Sequence, residues 1–127
     1  MILLDSDVLI AHLRGHPAAK SWLRQQRQAT GPMAVSVVTV AEVGGGMRSP
    51  ERREVTRLFA SLHIVSVTER IAWRAAELMR AHGKAHSGIG LGDYLVAATA
   101  DVEGLRLATL NVRRYPMFPG LAAPFAL

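Results

Sequence analysis

Met1-Ile2-Leu3-Leu4-Asp5-Ser6-Asp7-Val8-Leu9-Ile10 opens the chain, and its reading decides the rest. Ile2-Leu3-Leu4 is a continuous apolar run too short for a helix. Such a run suits a strand covered on both faces, as in a parallel sheet. Asp5-Ser6-Asp7 interrupts it, and Val8, Leu9, Ile10 and Leu13 then resume with the density of a buried helix. Strand, turn and helix follow one another, with Asp5 at the carboxyl end of the strand. In open α/β sheets that end is where ligands bind. The plainer use of Asp5 or Ser6 is to cap the next helix. A cap needs one polar residue, and three stand here.

The same alternation continues outward. Residues 6–14 read as the first helix, closed by Gly15 and His16-Pro17. A second helix spans 18–28, with Ala19, Trp22 and Leu23 inward and Lys20, Arg24 and Arg27 outward. Residues 33–38 are rich in β-branched side chains and read as the second strand, and Thr39 starts a helix that Gly44-Gly45-Gly46 weakens early. Ser49-Pro50 has the form of an N-cap and first helical position, followed by Val55, Leu58, Phe59 and Leu62 at helical spacing. A third strand covers 63–67. Thr68 caps a helix to His82 with Ile71, Ala75, Leu78 and Met79 inward. After a glycine-containing loop, Leu91-Gly92-Asp93 opens a helix from Tyr94 to Glu103, whose Ala97, Ala98 and Ala100 allow close packing. Gly104 ends it, residues 105–109 form a fourth strand, and residues 121–125 are expected to add a short edge strand. The pattern predicts one α/β domain over 1–127, three-layered, with a mainly parallel sheet of four to five strands.

Composition sets limits on function. The 127 residues include no cysteine, which excludes disulfides, zinc-thiolate sites and thiol catalysis and fits a cytoplasmic protein. No stretch reaches the ~18 apolar residues of a membrane span, and the opening run meets Asp5 too soon for a signal peptide. A formal charge of +5 favours a polyanionic partner such as nucleic acid, although it also serves plain solubility.

Three of the acids stand in unusual settings. Asp5 ends the first strand, Glu42 lies in the first turn of the helix after the second strand, and Asp93 opens the helix before the fourth. In a parallel sheet, strand ends and the following helix starts share one edge, so Asp5 and Glu42 can converge. Asp93 joins them only if its helix runs antiparallel to the others or the preceding loop crosses over. Each also has a structural use: Thr39-x-x-Glu42 fits a capping box, and Asp93 suits a helix N-terminus. Together they suggest a hard-cation site, because magnesium takes carboxylate oxygens along with water and substrate phosphate. A metal so held activates water against a phosphodiester, and in a basic protein this points to a nuclease.

The motifs carry a resemblance. Residues 2–10 look like the opening motif of PIN-domain ribonucleases, and Ser36-x-x-Thr39-x-x-Glu42 resembles their second. Asp93-Tyr94-Leu95-Val96-Ala97-Ala98-Thr99-Ala100 is similar to the third. The stretch from Thr109 to Phe118, centred on Asn111-Val112-Arg113-Arg114, resembles the fourth as seen in VapC-type toxins. The resemblance covers nearly the whole chain in order. It implies a Mg2+- or Mn2+-dependent endoribonuclease toxin, a homodimer, held inactive by a VapB-type antitoxin. It assigns Asp5, Glu42 and Asp93 to the metal and, with Asn111, to catalysis. Ser6 and Asp7 become auxiliary polar groups, and Arg113 and Arg114 face the RNA. Arg114 stands where many members carry a fourth acid, so a full second metal site is not implied.

Other signals weigh less. His12/His16 and His82/His86 have a spacing that zinc can use, but no H-E-x-x-H is present. Arg48, Arg52, Arg53 and Arg57 could meet phosphates or simply face solvent with Glu51 and Glu54. Trp22 and Trp73 are expected in the core. Asp5-Ser6-Asp7-Val8 also fits the D-x-D-x-[TV] motif of haloacid-dehalogenase-like phosphohydrolases, though the segment before Asp93 lacks the apolar strand that fold needs. A basic domain that grips RNA or a partner without cutting is the remaining alternative.

Overall fold

Four short parallel strands form the centre of the structure, a computed structural model that describes residues 1–127. They are β1 (Ile2–Leu4), β2 (Ala34–Ser36), β3 (His63–Val65) and β4 (Arg106–Ala108), in the order β3-β2-β1-β4. Leu3 lies opposite both Ala34 and Leu107, so β1 is paired on both sides. Six α-helices flank the sheet: α1 (Ser6–Leu13), α2 (Pro17–Thr30), α3 (Val37–Gly46), α4 (Arg52–Ala60), α5 (Glu69–His82) and α6 (Leu91–Glu103).

The two-residue period of a strand sends neighbouring side chains to opposite faces. Ile2, Leu4, Val35 and Ala108 pack with Val8, Leu9, Leu23, Val43, Val55 and Phe59, from α1 to α4. Leu3, Ala34 and Leu107 pack with Ile71, Ala75 and Leu78 of α5 and Tyr94, Val96 and Ala97 of α6. This two-sided burial is why the opening run is apolar throughout, and it makes three layers. Leu3 and Leu4 are fully buried, so truncating either to alanine should cost about 2–5 kcal/mol.

The chain steps outward from β1 to β2 to β3, then returns to lay β4 on the other side of β1. The order reverses between β1 and β4, which opens a crevice at their carboxyl ends. Arg74, early in α5, bonds Asp101, late in α6, at 2.6 Å, so the two helices run antiparallel. That arrangement brings the N-terminus of α6, with Asp93, to the carboxyl edge of the sheet. Ala97, Ala98 and Ala100 are buried, and their small size lets α6 lie close.

Several expectations are corrected. Residues 121–125 form no strand; Pro119 and Pro124 each lack an N–H for a ladder. Phe125 instead packs on the half-buried Trp22, with ring centroids 5.8 Å apart. Trp73 is 66% exposed on the outer face of α5, where its indole N–H donates to Glu69 at 3.2 Å. Met79 is likewise exposed, because Ile71, Ala75 and Leu78 already define the inner stripe. Ser49–Glu51 forms a 3-10 turn preceded by Arg48 at the cap position, so Ser49 is not the cap of α4. The triple glycine does not shorten α3, which runs through Gly46. No helix is long and apolar enough to cross a membrane.

Candidate active site

Asp5 stands at the end of β1, 6% exposed, with its N–H bonded to the Ala108 carbonyl at 2.9 Å. Its Oδ1 accepts from the Ser6 N–H at 2.9 Å, so it does cap α1. Its Oδ2 accepts from the Tyr115 hydroxyl and the Thr109 hydroxyl, each at 2.8 Å. One oxygen is thus filled by two O–H donors, and Oδ1 keeps the remaining accepting capacity. Thr109 follows β4, across the switch point from Asp5. Tyr115 is 1% exposed, and burial, followed by the neighbouring Asp5 charge, pushes its phenol pKa far up, so it remains a donor.

Asp7 serves a different purpose. Its Oδ2 accepts from the Leu110 N–H at 3.1 Å and lies 3.2 Å from the Thr109 hydroxyl, tying the start of α1 to the segment after β4. Its Oδ1 is buried without a partner in the protein. Burial, then the Asp5 charge, raises its pKa. Asn111 follows at the crevice, its backbone N–H donating to the Thr109 oxygen at 3.1 Å.

Glu42 is freed from capping. The cap of α3 is Ser36, whose Oγ accepts from the Val38 N–H at 3.1 Å. Thr39 is a buried residue inside the helix, so the Thr39–Glu42 box does not form, and Glu42 sits in the second turn. Its carboxylate lies against the start of α6: a Cβ added at Gly92 would stand 3.5 Å from Oε2. The residue is exposed as a whole, yet its carboxyl pKa is raised by partial desolvation, then by Asp5 and Asp93, with Arg114 opposing.

Asp93 does serve the helix N-terminus, as one of its expected uses requires. Its Oδ2 accepts from the Gly90 N–H at 3.0 Å, which caps α6. Its Oδ1 faces the Arg114 Nη1 at 3.8 Å, and its side chain is only 15% exposed. Arg113 and Arg114 both lie on the 3-10 turn Val112–Arg114 and are exposed.

The fold therefore gathers Asp5, Glu42, Asp93, Ser6, Asp7, Asn111 and Arg114 at one edge. The carboxylates influence one another electrostatically, but no three His, Cys, Asp or Glu side chains are spaced to hold a metal ion as they stand. Gly92-Asp93 opens a helix and does not follow a strand, so the phosphohydrolase arrangement is not formed. Sequence reasoning gave no role to the hydroxyls of Thr109 and Tyr115. Thr109 could have been found as the polar residue ending the strand on the far side of the switch point. Nothing local distinguishes Tyr115 from the loop around it.

Residues 2–115 match the PIN domain family, and the chain belongs to that family. The chain is 60% identical over 127 residues to Ribonuclease VapC10 of Mycobacterium tuberculosis, covering all of this chain and 95% of that protein. It is 38% identical over 125 residues to Ribonuclease VapC19 of the same organism, covering 98% of this chain and 100% of the other. In structure it resembles a chain of a toxin-antitoxin complex from Klebsiella pneumoniae, with a TM-score of 0.80, 27% identity and complete coverage of both chains.

Proposed function

We propose that the protein is a metal-dependent endoribonuclease, acting in the cytoplasm as the toxin of a VapBC-type toxin–antitoxin pair. The observation that carries this reading is that Asp5 and Asp93 both act on the charge of Glu42 at the edge where β1 and β4 part. Relatives called ribonucleases, and a structural neighbour solved as a toxin-antitoxin complex, support the substrate and the VapB-type partner. A homodimer, and a single domain over residues 1–127, belong to the same reading.

The donor set fits a hard divalent cation, Mg2+ or Mn2+, since it consists of carboxylate oxygens without thiols. The Glu42 carboxyl pKa is raised by partial desolvation and then by the neighbouring charges of Asp5 and Asp93, and a cation relieves that repulsion. Asp5, Glu42 and Asp93 would hold the ion. Once bound, it supplies water activation and charge stabilisation on the phosphodiester. The protein's own groups prepare the site. Tyr115 and Thr109 fix one oxygen of Asp5, and the Ser6 N–H orients the other. Asn111 orients substrate or water at the rim, and exposed Arg113 meets the RNA backbone.

The test is cleavage of single-stranded RNA with Mg2+, with Mn2+ and with excess chelator. Cleavage with either metal and none in chelator is expected. Robust cleavage in chelator overturns the metal reading.

A further inference from the structure

We infer that Arg114 is a tethered counter-cation of Asp93, which the divalent ion must displace and which displacement frees to grip the RNA backbone. The inference rests on the metal-binding reading above and adds the coupling between the ion and the strand.

Geometry carries it. Asp93 is a largely buried carboxylate with one oxygen committed to the Gly90 N–H, and its other oxygen faces the guanidinium at 3.8 Å. That separation is loose for an arginine–carboxylate bond, and it shows an attraction that is not locked by a short hydrogen bond. The arginine side chain is 52% exposed, so it can turn outward without disturbing the core. It stands on the turn after β4 next to exposed Arg113, on the rim that a strand must cross to reach Asp5. A guanidinium beside Asp93 and a divalent ion on Asp93 repel one another. An RNA phosphate resolves the conflict by offering the arginine a new anionic partner. By linkage, RNA that draws Arg114 away from Asp93 tightens metal binding, and bound metal tightens RNA to the same degree.

Calorimetric titration of the full chain with Mn2+ tests this without reference to cleavage. Wild type, Arg114→Gln, Glu42→Gln and the remote exposed variant Arg70→Gln are compared. The last controls for the loss of one positive charge. Arg114→Gln should bind Mn2+ about fivefold or more tightly than wild type, with the gain shrinking as salt rises. Arg70→Gln should match wild type. For RNA, Arg114→Gln should raise KM by more than it lowers kcat. A melt in chelator shows that each variant is folded. If wild type binds Mn2+, Glu42→Gln does not, and Arg114→Gln binds no more tightly than wild type, Arg114 is no competitor and the inference falls while the metal reading stands. If neither wild type nor Arg114→Gln binds Mn2+, both fall.

Discussion

Changing Tyr115 to phenylalanine removes one oxygen from the site and leaves the ring in place. The ring keeps its packing in the cluster around Leu3 and its stacking on Phe118, with centroids 6.4 Å apart. What is lost is a 2.8 Å bond from a buried hydroxyl to a buried carboxylate. Hydrogen bonds to charged groups contribute about 1.5–3 kcal/mol. Asp5 keeps the Thr109 hydroxyl and the Ser6 N–H, so it is not left stranded, and the cost should fall near the lower end, about 1.5–2 kcal/mol. Urea unfolding at pH 7 measures it. The pH dependence is a second check. Because the folded phenol pKa is raised, its contribution is fully present below the unfolded tyrosine pKa. It is lost as pH climbs past about 10, where the unfolded chain ionises. The gap between wild type and Tyr115→Phe should therefore narrow in alkali. Cleavage should fall about 10–100-fold, the usual effect of losing a group that orients a metal ligand. A stability change below about 0.5 kcal/mol with unaltered cleavage would refute the role given to the hydroxyl.

Glu42→Gln should nearly abolish cleavage while the fold survives, because Ser36 and not Glu42 caps α3. In chelator at neutral pH its stability should equal or slightly exceed wild type, since a raised carboxyl pKa means that folding penalises the charged form, an effect that solvent screening keeps small at an exposed residue. That gain should vanish as pH falls well below about 4, where the carboxyl is protonated in either state, and denaturation in a pH series checks it. Magnesium should raise the melting temperature of wild type and far less that of Glu42→Gln. His12 has a pKa lowered by burial, then by Lys20, and its Nδ1 is buried without a partner. Its contribution is present above the unfolded value of about 6.5 and lost as pH falls. His12→Gln should flatten the fall in stability as pH drops below about 6.5.

The readable parts of the fold are those where burial is symmetrical or periodic. Ile2–Leu4 announces a central strand because both of its faces are covered, and the stripe Ile71, Ala75, Leu78 announces α5 because a single face is. Thr68 was readable as a cap, and its Oγ1 accepts from the Ile71 N–H at 3.2 Å. Failures came where one residue type serves two settings. Trp73 is as apolar as Trp22, but it lies off the inner stripe of α5 and keeps its N–H on Glu69. The Thr39–Glu42 box matches a capping pattern, but the helix had already begun at Val37 under the Ser36 cap. That three-residue shift of the cap, from Thr39 to Ser36, moves Glu42 from the first turn, where acids are common, to the second, where capping does not account for it.

For Asp5 and Asp93, a helix cap and a place at the crevice are one arrangement. Helix N-terminal amides attract negative charge and hold a carboxylate in a fixed direction. Asp5 accepts from Ser6 at the start of α1, and Asp93 accepts from Gly90 at the start of α6. Each bond occupies one oxygen and orients the other. The parallel topology places both starts at the carboxyl edge, and the reversal between β1 and β4 leaves the crevice open there. A carboxylate placed without such donors would have to be oriented from farther away, as Asp5 is in part by Thr109 and Tyr115. Those partners lie 104 and 110 residues along the chain from Asp5. Local patterns therefore reveal the acids, because their caps are local. The groups that aim them stay hidden, because they arrive only when β4 pairs with β1.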